Sequence, residues 1–303
     1  MATKLPKPFL PLKGVRVLSL ALNLPGPAAL MRCQQMGATC VKVAPPAPAG
    51  APPDASGDPM SWYNKDAYTA LHKGVRLAVA DLKTEKGQQA LHRELAKTDV
   101  LLTSFRPSAL KKLGLEWKLL HKLYPALSMI AIVGAPGDRA EEPGHDLTYL
   151  AEYDLVNGLE LPPTLYADMG GSLMASEAVL KAVLAQKLQG KGHYLEVALS
   201  EAAAYLALPR TWGLTQPGAA VGGGHAGYRV YSCKNGRVAV AALEPHFAKT
   251  LCTAAGIADA SINSMMSAPT QAQIATFLLG KTRQALDKLS VEQDIPLFTL
   301  PKK

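Results

Sequence analysis

Gly14-Val15-Arg16-Val17-Leu18-Ser19-Leu20, the stretch from Pro27 to Gly37, and Thr39-Cys40-Val41-Lys42-Val43 together decide the fold. The first and third are β-rich runs of strand length. The stretch between them reads as a helix, with Pro27 in its first turn and Gly37 at its end. Strand, helix and strand within thirty residues predict a crossover unit. The rhythm continues outward. Val75 to Ala80 reads as a strand, Thr84 to Lys97 as a polar amphipathic helix, and Asp99 to Thr103 and Leu127 to Val133 as further strands. The repetition predicts an α/β fold, a doubly wound layer with right-handed crossovers.

Two segments break this rhythm. Ala44 to Pro59 is crowded with proline and small residues and reads as an irregular surface loop. Gln216 to Gly227, with Gly222-Gly223-Gly224, reads as a glycine-rich linker. Helices are expected before it, at Gly171 to Leu188 and Leu199 to Leu214. After it comes a hairpin of Tyr228 to Cys233 and Arg237 to Leu243, turned at Lys234-Asn235-Gly236, and then helices to the end. The expected organisation is a large domain over 1–215, a linker over 216–227, and a smaller α+β domain over 228–303. No G-x-G-x-x-G follows the first strand, so a dinucleotide fingerprint is rejected.

Composition narrows the function. The 303 residues are 48% hydrophobic and 18% charged, ample for a sizeable core. No apolar run reaches the roughly 18 residues of a membrane span, and Met1 to Pro11 does not read as a signal peptide. Cys33, Cys40, Cys233 and Cys252 have no metal-type spacing and read as reduced, buried thiols of a cytoplasmic protein. The net charge of +8 comes from scattered lysines and arginines, and aromatics are only 6%. A nucleic-acid platform concentrates both. A dispersed excess suits a small polyanion instead, such as a nucleotide-bearing cofactor.

Three polar sites carry the chemistry: Gly144-His145-Asp146, Ala167-Asp168-Met169-Gly170-Gly171, and Leu243-Glu244-Pro245-His246-Phe247. Each sets an ionisable side chain beside glycine or proline at the edge of an apolar segment. Such residues are common in ordinary turns and caps. As a set they could bring a base and a carboxylate to one cleft, with a second carboxylate to orient the base. That is the minimum equipment for moving a proton on and off carbon.

In this order, with Pro25-Gly26-Pro27, Met36-Gly37-Ala38, Lys73-Gly74-Val75-Arg76, Ala80-Asp81-Leu82-Lys83, Ser104-Phe105-Arg106-Pro107 and Leu113-Gly114-Leu115, the chain resembles the family III CoA-transferases of the CaiB/BaiF type. It is most similar to their α-methylacyl-CoA racemase branch. The resemblance implies a Rossmann-like large domain, a small domain, and an interlocked homodimer with acyl-CoA at the subunit boundary. Coenzyme A would be part of the substrate, with no tightly bound cofactor and no metal. In the transferase branch the aspartate matching Asp168 becomes acylated. In the racemase branch it is one of two bases, His145 is the other, and Glu244 supports the histidine. The resemblance also implies Arg106, Lys83, Lys73 and Arg76 as candidates for the CoA phosphates or adenine, and Gly144 to Tyr149, including Asp146, as lining the thioester pocket. Ala44-Pro45-Pro46 departs from the family, which usually has an acidic residue after the second strand. Relatives also usually continue past Pro301 with a segment that returns to the large domain.

The chemistry agrees with this resemblance. Removing a thioester α-proton gives an enolate, and a base on each face permits inversion. An imidazole, with an ordinary pKa of roughly 6.5, suits either role. The Asp168-Met169-Gly170-Gly171 turn is expected to open a helix whose amides help stabilise the enolate oxygen. Three readings stand: an acyl-CoA racemase, a CoA-transferase working through an acyl-aspartyl enzyme, or an acyl-CoA-binding protein on the same fold.

Overall fold

The computed structural model describes residues 9–51 and 56–302. Residues 1–8, read above for a leader, and residues 52–55 of the proline-rich loop lie outside them. The chain divides into two compact units, Met1–Ala207 and Leu208–Lys303.

The first unit is built on six parallel strands: β1 (Arg16–Ser19), β2 (Thr39–Ala44), β3 (Arg76–Val79), β4 (Val100–Thr103), β5 (Ser128–Val133) and β6 (Tyr194–Ala198). Their spatial order is β3-β2-β1-β4-β5-β6. This is the doubly wound order, with its reversal between β1 and β4. The central strands are mostly apolar because both faces are covered. Alternate residues separate cleanly: Val17, Val100, Leu102, Ile130 and Ile132 join one core, while Leu18, Leu101 and Met129 join the other. The first core is closed by helices Pro25–Gln35 and Tyr166–Gln189, the second by Glu85–Leu95, Pro107–Lys112 and Trp117–Leu123.

Several elements differ from the sequence expectation. The first helix starts at Pro25 and ends at Gln35, with Gly37 beyond it at φ 96°. β6 was not anticipated; Glu196 interrupts its apolar run, and the segment passes directly into a helix. The expected helix Leu199 to Leu214 is two pieces, Leu199–Leu206 and Leu208–Thr211. Pro209 supplies no amide to a continuous ladder.

The second unit pairs β7 (Tyr228–Cys233), β8 (Gly236–Ala241) and β9 (Leu297–Leu300) antiparallel, in that spatial order. β9 stands where only helices were expected; a four-residue strand has too little pattern to be read. Helices Pro245–Ala255, Ala268–Leu279 and Arg283–Gln293 cover the buried face, where Val238, Val240, Leu251, Ile274 and Leu286 pack together. The glycine-rich segment is stitched into this unit. Arg229 donates to the Gly223 carbonyl, and Gln271 Nε2 donates to the Gly224 carbonyl at 2.5 Å.

Leu101 is fully buried on β4 at the middle of the large sheet. Leu101→Ala removes its contacts and leaves a cavity between rigid neighbours. It should destabilise the first unit by about 2–5 kcal/mol. Urea unfolding followed by circular dichroism reads the loss.

Candidate active site

The reversal in strand order leaves a crevice at the carboxyl ends of β1 and β4. A cleft of about 280 Å³ lies there. Leu22 and Asn23 after β1, Ser104, Phe105 and Arg106 after β4, and Gly134 after β5 line it, together with Gly144, His145, Tyr149 and Asp168. The structure therefore gathers five residues that the sequence nominated: Arg106, Gly144, His145, Tyr149 and Asp168.

His145 is the N-cap residue of helix Asp146–Glu152, and its side chain is exposed. Its backbone is fixed by Thr148, whose Oγ1 accepts from the His145 amide at 3.0 Å and donates to the His145 carbonyl at 2.7 Å. The short 3₁₀ segment Gly137–Glu141, just before it, is pinned at three points. The Gly137 amide donates to Glu196 at 2.8 Å, Arg139 pairs with Glu152 at 3.2 Å, and Glu141 accepts from the Ser108 amide at 2.6 Å. Ser108 holds the Glu141 carboxyl below its ordinary range.

Asp168 lies in the first turn of helix Tyr166–Gln189. The expected helix start at Gly171 is displaced because Gly170 and Gly171 are packing positions. A Cβ on Gly171 would stand 2.3 Å from the Leu199 side chain, and one on Gly170 would stand 3.3 Å from Ala202 Cβ. The missing side chains let this helix lie against Leu199–Leu206.

Asp146 is only 5% exposed, and its Oδ1 accepts the Asp168 amide at 2.9 Å. It sits behind Asp168 and is not among the residues that line the cleft. Burial, and then the Asp146 charge, push the Asp168 carboxyl up to about 7. The helix amides expected to meet an enolate oxygen are engaged here: Asp168 donates to Asp146, and Met169 donates to the Leu165 carbonyl at 3.0 Å. Tyr149 packs its ring on two glycines. A Cβ would fall 2.3 Å from its hydroxyl at Gly134 and 2.6 Å at Gly144. Burial and Asp168 raise the Tyr149 phenol.

Other nominated residues lie elsewhere. Lys83 is exposed in the turn before helix Glu85–Leu95, Lys73 is exposed after helix Lys65–Leu71, and Arg76 pairs with Glu94 at 2.6 Å beside the edge strand. None of the three lines the cleft. Glu244 caps helix Pro245–Ala255 in the second unit. Asn23 was not nominated. Its φ of 61° gives the signal in retrospect, since asparagine is among the few residues that accept a left-handed turn. Among the described residues, no group of three His, Cys, Asp or Glu could hold a metal ion, and no helix is long and apolar enough to cross a membrane.

A doubly wound sheet with paired carboxylates and a histidine at its switch point describes a small-molecule enzyme site. The chain belongs to CoA-transferase family III, whose sequence profile matches residues 12–300. It is 29% identical to human alpha-methylacyl-CoA racemase over 274 residues, 84% of this chain and 68% of that protein. It is 30% identical to the cinnamoyl-CoA:phenyllactate CoA-transferase of Clostridium sporogenes over 204 residues, 63% of this chain and 50% of that one. The chain thus spans half the length of the transferase and about two thirds of the racemase. The crystal structure of Rv3272 from Mycobacterium tuberculosis superposes with a TM-score of 0.79 at 23% identity, covering 96% of this chain and 85% of that chain.

The raised Asp168 carboxyl predicts a pH signature. A carboxyl near 3.9 in the unfolded chain and near 7 in the fold binds its proton more tightly when folded. Its contribution to stability is fully present below pH 4 and is lost as pH rises through 7. Asp168→Asn does not titrate. Relative to wild type it should therefore gain about 1–2 kcal/mol between pH 5 and pH 8, after discounting for partial solvent screening. Thermal melts of both proteins across that range measure it. Gly144→Ala should push Tyr149 aside and weaken ligand binding, read by calorimetry.

Proposed function

We propose that the cleft binds an acyl-CoA thioester and that Asp168 and His145 move the α-proton of a 2-methylacyl group, inverting that carbon. One observation carries the reading: a carboxyl held near neutrality faces the same cleft as a histidine at a fixed helix start. A group titrating near the working pH is populated in both protonation states, as proton transfer in two directions requires. One side chain takes the proton from Cα, the carbonyl oxygen takes up the negative charge, and the other returns a proton to the opposite face. Arg106 at the cleft edge is assigned to a CoA phosphate. Glu244 is assigned to supporting the imidazole. The similarity to a racemase over 84% of the chain supports this assignment.

A second reading rests on the transferase relatives. Asp168 would attack the thioester carbonyl, expelling CoA as the thiolate and leaving an acyl-aspartyl anhydride; the thiolate then displaces the first acid to give an aspartyl-CoA thioester, from which CoA passes to a second acid. The two reactions part in deuterium oxide. The racemase reading expects deuterium at Cα of a 2-methylacyl-CoA with no acceptor acid present. His145→Ala should abolish inversion of at least one enantiomer, and Glu244→Gln should slow it by about 10- to 100-fold. No exchange, together with acyl-CoA-dependent reduction of the Asp168 carboxyl to an alcohol by borohydride, would establish the transferase reading instead.

Binding has its own test. Coenzyme A should bind in calorimetry, more weakly as salt rises. Arg106→Ala should weaken it more than Lys111→Ala. Equal losses from the two variants would remove Arg106 from the assignment. The same reading carries a homodimer, which light scattering reports as a mass of two chains.

A further inference from the structure

β2 reads Thr-Cys-Val-Lys-Val-Ala, and Lys42 in its middle is fully buried. A lysine there is unusual, since a buried ammonium needs a partner. The partner is Asp58, also without exposure; Lys42 Nζ donates to its Oδ2. The other oxygen, Oδ1, accepts two backbone amides, from Asn23 at 3.2 Å and from Met60 at 3.1 Å. One carboxylate therefore joins β2, the corner after β1, and the start of helix Met60–Tyr63. Tyr68 lies with its ring centroid 5.5 Å from Lys42 Nζ, and the buried His72 lies beyond it, donating from Nδ1 to the Tyr68 carbonyl at 2.7 Å. Burial lowers both the Lys42 ammonium and the His72 imidazolium, and the Asp58 charge pulls Lys42 the other way.

Stability alone is a poor reason for this pair. A buried ion pair is commonly replaced by apolar residues of like volume at little cost or with a gain. Its position supplies a better one. Asn23 holds φ 61°, a turn that costs a non-glycine residue on the order of 1 kcal/mol, and it lines the cleft. The neighbouring Leu22 amide donates to Ser104 Oγ at 3.1 Å, which ties the same corner to the loop carrying Phe105 and Arg106. An ionised oxygen accepts amides more strongly than a neutral one.

We propose that Asp58 is a positioning residue for ligand binding, with Lys42 holding its carboxylate so that it fixes the Asn23 corner of the cleft. The inference rests on reading that cleft as the coenzyme A site, and its test has an arm that needs no ligand.

Two double variants separate positioning from stability. Lys42→Gln/Asp58→Asn is a neutral near-isostere that keeps an oxygen for the Asn23 and Met60 amides. Lys42→Met/Asp58→Leu is apolar and keeps none. In hydrogen–deuterium exchange, amides 22–24 should exchange at least tenfold faster in the apolar pair and near the wild-type rate in the neutral pair. Coenzyme A affinity by calorimetry should fall about tenfold in the apolar pair and be retained in the neutral one, with melting temperatures of the two within a few degrees. Wild-type protection of amides 22–24 in the apolar pair overturns the proposal. So does faster exchange with unchanged affinity. If wild-type protein binds no coenzyme A, the ligand reading of the cleft falls, and the exchange arm alone decides whether Asp58 fixes the corner. Should the apolar pair not fold, Asn23→Val tests the corner from the other side. A β-branched residue does not take the left-handed turn, so affinity must drop, and wild-type affinity in that variant overturns the proposal.

Discussion

The hydrogen bond from the Asp168 amide to the buried Asp146 carboxylate governs the cleft. It joins the first turns of two helices, so the histidine that caps one and the aspartate that begins the other cannot move apart independently. It also holds the two carboxyls close together. Helix N-termini favour negative charge, but two close carboxylates removed from water repel one another. Burial, and then the Asp146 charge, raise the carboxyl that faces the cleft to about 7.

That arrangement depends on close packing around small residues. Gly170 and Gly171 let helix Tyr166–Gln189 approach Leu199–Leu206, and the buried Ala175, Ala178 and Ala182 continue the same small-residue helix into the core beside β5 and β6. Gly134 and Gly144 make room for the Tyr149 ring. A side chain at Gly134, Gly144 or Gly171 would displace a wall of the site. These glycines have ordinary negative φ, and their use is absence of bulk rather than conformational freedom.

What the sequence made legible follows from the range of the interactions. β1, β4 and β5 are largely apolar runs bounded by turns, and β2 is another broken by Lys42; local pattern marks them. β6 carries Glu196, and β9 has four residues; both are defined by pairing with distant partners. The glycine pair at 170 and 171 resembles a helix start because its reason for being small lies about thirty residues on. His145 and Asp168 were legible because each stands at an element end on the switch-point side of the sheet; Arg106 was nominated by the resemblance. Lys73, Arg76 and Lys83 were nominated by the resemblance alone, since an exposed cation carries no local mark of its use. Lys42 and Asp58 were not legible at all: a lone lysine in an apolar strand looks like an edge residue until its partner is placed beside it.

The height of the Asp168 carboxyl bears on which chemistry suits the cleft. A nucleophilic carboxylate acts only when ionised, and near pH 7 a group titrating at about 7 spends half its time protonated and inert. Burial therefore leaves about half of this residue ionised at neutral pH, a cost to acyl transfer of only about twofold. Proton transfer uses both forms, the carboxylate to take a proton in one direction and the acid to give it in the other, so the same elevation serves it twice. His145 lines the same cleft, and its backbone is fixed by Thr148. Burial of one carboxyl beside another thus admits proton transfer without excluding a bond to carbon, and the relatives include enzymes of both kinds.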